Sequence, residues 1–388
     1  MNIPPPATPY FQMPKKHSEG FYILVITIIV VSALGLLYVL PWLLEPAGVS
    51  GAFVSMLWAL IPLAFTSVLV WFIDRWEPEP AWLYVVAFAW GAGVAVMLGA
   101  FLNDYAAINI LPGMLGSEAT VYDLDRYAAS WVAPVSEEFV KGMGVILIFF
   151  AFKRYFNGPV DGIVYGALIG AGFAFTENIL YFVRNFEYLD LVFQIRFLDG
   201  PLSHDIYTAF FGFFIGFAEY SRSRWSVLIW MIPAMLGAMS FHYFNNDALN
   251  WEGMTYELYV FISNVPLAAL AILMVWYATR YERKAVIKGL TPFVAGGWFS
   301  QYEVAMVSKL RNRAQARKWA EQSAQAMGAR PGQGSEAMER FQTLMIELGH
   351  DQTRAERRGL LQDPHHHAHM ISQARSAQQL RMLFAPRQ

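Results

Sequence analysis

Glu137, Glu138 and Lys141 sit together inside an otherwise apolar stretch. Glu137 and Lys141 are spaced i,i+4, and Glu138 and Lys141 i,i+3, so on a helix the lysine reaches either carboxylate. Two adjacent carboxylates taken out of water cannot both ionise cheaply. A carboxylate that exchanges a proton near neutral pH is a competent general base toward water. Three further apolar stretches carry rare polar residues: Glu177 with Asn178, His204 with Asp205, and His242 with Asn245 and Asn246. Neutral histidines and an asparagine can position a water or stabilise an oxyanion. Glu and His can instead hold Zn²⁺ with one position open, and the metal then acidifies the water. Either route is hydrolysis of a carbonyl compound. Three carboxylates against one lysine leave an excess negative charge, which a proton or a metal could offset. HExxH is absent, so the usual zinc-protease helix is not present. The chain has no cysteine, which excludes thiolate metal sites, Cys nucleophiles and disulfide frameworks.

The elements that carry these residues are set by composition. Of 388 residues, 56% are hydrophobic and 15% charged, against roughly a quarter charged in an ordinary soluble domain. The apolar residues come in blocks near 20 long, the length that crosses a bilayer core of about 30 Å as a helix. Eight such blocks stand out: 21–43, 53–73, 81–102, 128–152, 160–182, 203–220, 225–246 and 257–279. The first is too long for a signal-peptide core and is read as an uncleaved span. Loops on one side carry eleven Lys and Arg residues and those on the other only Arg126, Arg184 and Arg196, which places both termini in the cytoplasm. The expected fold is an all-α, polytopic transmembrane helix bundle of about eight spans. The expected organisation is a cytoplasmic N-terminal tail (1–20), a membrane domain (21–279) and a basic, partly helical cytoplasmic tail (280–388). Residues 1–279 have net charge −10 and residues 280–388 net +8, so the tail faces anionic lipid headgroups. Within the tail, 301–325 and 335–361 read as helices, separated by Pro331, Gly332 and Gly334. His365, His366, His367 and His369 make a His-rich tract that reads as a solvated linker, with metal binding as the alternative.

With that orientation the polar groups of spans four to seven all fall in the external half of the bilayer. Glu137 lies eight or nine residues down its span, roughly 12–14 Å at helical rise. Gly162, Gly166 and Gly170 make a small-residue ridge on the fifth span. His204, Thr208, Gly212 and Gly216 share a stripe on the sixth, and Ala238, His242 and Asn246 one on the seventh. Small ridges let helices approach closely in lipid, which would bring the polar side chains together.

Four segments then resemble a known pattern. Ala133-Pro134-Val135-Ser136-Glu137-Glu138-Phe139-Val140-Lys141 resembles the EExxK motif of the CPBP superfamily of intramembrane proteases, and within it the PrsW family. Phe173 to Asn178 resembles that family's second motif, His204 with Thr208 and Gly212 its third, and His242 with Asn246 its last. Asp74-Arg75-Trp76-Glu77-Pro78-Glu79-Pro80 is also similar. The resemblance covers about residues 60–280 and leaves the basic tail outside. It implies a bacterial inner-membrane protease that cuts a membrane-anchored, anti-sigma-factor-like protein from the outside, a site-1 type of cleavage. Carried over, Glu137 is the water-activating residue, tuned by Glu138 and Lys141. Glu177, beside Asn178, and His204 orient the water or bind metal, and His242 and Asn246 act at the oxyanion or as further ligands. The cofactor is either none or one divalent metal such as zinc, held from Glu138, Glu177, His204 and His242. The expected partners are the lipid bilayer and a protein substrate, with no nucleic acid. Two other classes fit the same residues: a proton or cation transporter, and a non-catalytic receptor or immunity scaffold. A transport path needs polar groups at both faces, and the internal halves of the spans read as apolar apart from Asp161.

Overall fold

The computed structural model describes residues 19–200 and 202–385, and the described residues form helices joined by turns, with no strand among them. They form two compact units, one of residues 24–279 and one of residues 280–388 together with those up to Ile23. In the first unit the long helices are α1 (Glu19–Leu44), α2 (Gly48–Asp74), α3 (Ala81–Ala89) running through a π-helical turn (Trp90–Ala95) into α4 (Val96–Asn109), α7 (Ala133–Ala151), α8 (Pro159–Arg184), α10 (Ser203–Glu219), α11 (Val227–Asp247) and α12 (Tyr256–Ala295). Short helices α5 (Leu111–Leu115), α6 (Val121–Tyr127) and α9 (Leu189–Phe193) fill the two long connections. Alanine-, leucine- and glycine-rich runs without cap residues explain why so many of these helices end with no side-chain cap: their ends are set by the reach of the apolar stretch.

The unit is apolar outside as well as inside. Ile26 and Leu37 on α1, Ile229 and Leu236 on α11, and Ile272 and Leu273 on α12 are each about 60–70% exposed. Such faces are stable only against lipid, where every backbone polar group is already bonded within its helix. Among the described residues, six helical segments are long and apolar enough to cross a membrane. α7, with three charges in 19 residues, and α10, with 17 residues, fall short on that measure. These are the two helices that supply Glu137 and His204. The protein is a multi-pass membrane protein.

α8 is the central element. The glycine ridge and the His204 stripe expected from sequence pack on each other. A Cβ on Gly162 would meet Gly212 O at 2.0 Å, one on Gly166 would meet Thr208 O at 2.3 Å, and one on Gly170 would meet His204 O at 2.5 Å. Only glycine permits this backbone approach, and it sets the depth at which α10 presents its first turn.

The two long connections carry short helices, in keeping with their length and mixed charge. Two features depart from expectation. The last helix does not stop near 279 but runs on to Ala295. Acidic groups are buried at the opposite end of the bundle too: besides Asp161, Asp74 and Glu219 are only 3% exposed. Each of these is engaged locally: Asp74 by Tyr84 and the Glu79 N–H, Asp161 by the Asn157 N–H, and Glu219 by Arg224 at 3.0 Å.

The second unit contains the end of α12 and four helices: α13 (Gln301–Val307), α14 (Leu310–Ala326), α15 (Gln333–Arg358) and α16 (Pro364–Arg381). Met338, Phe341, Met345, Ile346 and Leu348 of α15 are buried, as their spacing predicts. The first tail helix is broken at Ser308 and Lys309, and Ser300 caps its first part in a reciprocal pair with Glu303. The histidine tract is not a linker. Asp363 accepts from the His366 N–H and Pro364 occupies the first turn, so the tract opens α16.

Candidate active site

The three charged residues of α7 do not share one fate. Lys141 and Glu138 are fully enclosed, at 0% and 1% exposure, and stand behind the wall of a cavity of about 800 Å³. Glu137 reaches that wall, with Glu177, Arg196, His204, His242 and Asn246. Lys141 Nζ donates to Glu138 Oε1 at 2.6 Å and approaches His204 Nδ1 at 3.1 Å. It also sits 4.3 Å from the Phe173 ring centroid. On the far side of His204, Nε2 lies 2.9 Å from Glu177 Oε2. Glu138 Oε1 also meets His242 Nδ1 at 2.9 Å. Glu138, Lys141, His204 and Glu177 are thus one continuous chain of charge-assisted contacts, with His242 at its end.

The chain fixes the tautomers. A lysine ammonium can only donate, so His204 accepts at Nδ1 and offers Nε2–H to Glu177. Glu138 accepts from His242 Nδ1–H, which leaves the His242 Nε2 lone pair facing Glu137 Oε2 across 4.0 Å.

Arg196 was missed as a site residue because its loop position made it only an orientation marker. It stands in a π-helical turn (Gln194–Leu198) of the connection after α8. Its side chain pairs with Glu177, donates Nε–H to Asn178 Oδ1 at 2.6 Å and lies 4.0 Å from the Tyr181 ring centroid. It changes the charge balance: Arg196 offsets Glu177 and Lys141 offsets Glu138. Glu137 is the site carboxylate left without a cation. Its Oε1 accepts from Asn103 Nδ2 at 3.1 Å, Asn103 being held in turn by Ser136, while its Oε2 is buried with no partner. Asn103, on α4, was also missed, since an asparagine near a helix end is unremarkable in sequence. Asn246 lines the cavity at its rim, with its amide donating to Ala129 O at 2.9 Å and accepting from Asn245.

The model for PrsW family intramembrane metalloproteases matches residues 79–290, more than half of the chain. The chain belongs to the PrsW family. Among curated relatives, Protease PrsW of Halalkalibacterium halodurans is 37% identical over 107 residues, 26% of this chain and 47% of the relative. Protease PrsW of Geobacillus kaustophilus is 29% identical over 158 residues, 40% and 63% of the two chains. That of Bacillus subtilis is 29% identical over 135 residues, 34% and 55%. The chain therefore spans about half to two thirds of the length of these relatives. No solved structure matches it.

The family description implies a metal, and the residues present fit one. Glu137, His204 and His242 each offer a ligand atom within 4.8 Å of the others, all three residues being buried. One carboxylate and two imidazoles leaving a position open is a hydrolytic zinc donor set. The partnerless Glu137 Oε2 is the buried acceptor such an ion would satisfy. Glu138 on His242 Nδ1 is the outer carboxylate that orients a ligating imidazole. His204 would offer Nε2 to an ion only with that nitrogen's proton displaced and Nδ1 protonated from Lys141 in its place, as metal binding generally displaces protons. Of the ligands expected from sequence, Glu138 and Glu177 contact the rings, and Glu137 takes the position facing both.

Proposed function

We propose that this protein is an intramembrane endopeptidase that hydrolyses a membrane-anchored protein near the outer face of the bilayer, in the manner of site-1 cleavage of an anti-sigma-factor-like substrate. The observation that carries the reading is the meeting of Glu137, His204 and His242, from three separate helices, on one cavity. In this reading all eight long segments span the bilayer with both termini in the cytoplasm, and the cavity opens outward.

Glu137 Oε2 takes a proton from water, whose oxygen attacks the scissile carbonyl carbon. The His242 Nε2 lone pair accepts the water's second hydrogen and so aims its oxygen. With a divalent ion present, those same lone pairs of Glu137 and His242, together with His204, would hold the ion in place of the direct contacts to water, and the ion would supply the acidification of the water and the polarisation of the carbonyl. As the C–N bond breaks, the proton held by Glu137 passes to the leaving amine. Asn246 stabilises the oxyanion from the rim. Glu138 and Lys141 hold His242 and His204 in their tautomers, and Arg196 holds Glu177, so no side chain has to reorganise during the reaction. Full-length protein in proteoliposomes should cut a single-span peptide at the outer end of its span, giving two products whose masses sum to the substrate plus one water. A Glu137→Gln protein that cuts as fast as the wild type would end this reading.

A further inference from the structure

One buried carboxylate on the cavity has no part in that chemistry. Asp205, in the first turn of α10, is 5% exposed and lines the cavity beside Ser203 and His204. Its Oδ2 accepts from Thr66 Oγ1 of α2 at 2.5 Å. Its Oδ1 is buried and has no partner. A structural tie between α2 and α10 would need one oxygen only, and a serine or threonine would serve it without burying a second acceptor. The same turn is also short of acceptors. Leu202 occupies the α10 cap position at φ 62°, and no side chain caps the helix. The turn thus presents an acceptor oxygen next to backbone donors, the complement of a peptide unit.

A protease that cuts within a membrane span needs such a complement. A helical substrate has its N–H and C=O groups bonded internally and must unwind before a carbonyl can be attacked. The groups freed have no water to bond in a low-dielectric cavity, so the protein must supply their partners. On the reading of this site as a protease, we propose that Asp205 Oδ1 accepts a backbone N–H of the unwound substrate, while the uncapped first turn of α10 donates to the carbonyl alongside. Asp205 is then a substrate-binding residue for the extended strand. Gly170 is what lets it take that place, because a Cβ there would lie 2.7 Å from the Asp205 Cα.

The test is an ester scan. A fluorescence-quenched single-span peptide that the full-length protein cuts in nanodiscs is resynthesised with one peptide N–H at a time replaced by an ester oxygen around the cut. In the wild type one position should lower kcat/KM about tenfold or more, mainly through KM, the scale of losing a hydrogen bond to a charged acceptor. Asp205→Ala should be insensitive at that position, to within about twofold, and Asp205→Asn, which keeps an acceptor oxygen, should restore part of the discrimination. Thr66→Val removes only the tie to α2 and should keep the full ester effect. An ester effect that is the same in wild type and Asp205→Ala would overturn the proposal, as would a scan with no sensitive position. Should Asp205→Ala fail to fold, the Asp205→Asn and Thr66→Val pair decides: equal loss of the ester effect in both makes Asp205 a structural tie. Glu137→Gln separates the two levels. If it cuts like the wild type, or no single-span peptide is cut at all, the hydrolytic reading falls and this inference with it. If it is inactive and the Asp205 variants behave like the wild type in the scan, only this inference falls.

Discussion

Glu137 and Asp247 are both buried acids toward the same end of the membrane unit, and they are held in opposite ways. Asp247 closes α11 and is surrounded by donors: Arg126 and Ser130 at 3.1 and 3.0 Å, Tyr243 at 3.1 Å, Trp251 at 2.9 Å and Asn250 at 3.3 Å. Both of its oxygens are occupied by the protein. Glu137 has one amide on one oxygen and nothing on the other, and its free oxygen faces two imidazoles. A buried charge is costly wherever it lies. Asp247 recovers that cost within the fold, tying the turn before α7 to the end of α11. Glu137 does not, and the shortfall is what a water, a proton or a metal ion would make good. Rarity of charge locates both acids, whereas the count of donors tells them apart.

The contrast can be broken at several points. The largest effect is expected at the imidazoles. His242→Ala should lower the rate of cleavage by about 10²–10⁴-fold, the usual range for a positioned acid–base group, with little loss of helicity. Glu138→Gln should follow the same direction, since a neutral amide no longer fixes the His242 tautomer. A rate within tenfold of wild type in a single-turnover assay would remove either from the mechanism. Next is Gly170→Ala, whose Cβ would press on backbone of the turn carrying His204 and Asp205. Overpacking of this kind costs about 1–3 kcal/mol, and here activity should fall further than thermal stability because the displaced turn is the one bearing the site. Asp247→Asn should show the reverse: a lower Tm, consistent with roughly 1–3 kcal/mol for leaving buried donors poorly satisfied, with nearly normal turnover per folded molecule.

The smallest effect lies in the other unit, where packing is that of a soluble protein. Backbone N–H groups of Gly332 and Ser335 hold the Glu321 carboxylate below the usual glutamate value. A depressed folded-state value means that the contribution is present above the unfolded value and is lost as pH falls through the folded one. The protection factors of backbone amides across 326–340, measured against intrinsic exchange at each pH, should therefore be unchanged from pH 8 to 6 and fall only below about pH 4.5, and Glu321→Gln should remove that dependence.

These two units also differ in how much their sequence discloses. In α15 the buried face repeats at helical spacing against a polar one, so Met338, Phe341, Met345 and Leu348 could be read directly. In the membrane unit lipid replaces water, both faces of a helix are apolar, and periodicity carries no signal. There the legible features were charges that lipid does not tolerate and glycines that lipid does not require, and together they marked α7, α8 and α10 and the way the last two meet. Arg196, Asn103 and Asp247 were not legible. Each acts through a partner distant in sequence, from a loop or helix end where polar residues are ordinary. The α16 helix escaped because four histidines mask a cap set one and two residues earlier by Pro364 and Asp363.

The most direct measurement is a comparison of Glu137→Gln with Asp247→Asn in one experiment: cleavage of the same single-span peptide in nanodiscs, divided by the folded fraction from thermal unfolding. The predicted result is no detectable cleavage by the stable Glu137→Gln protein and near-normal cleavage by the surviving folded Asp247→Asn protein. Equal cleavage by the two, or loss confined to Asp247→Asn, would contradict it.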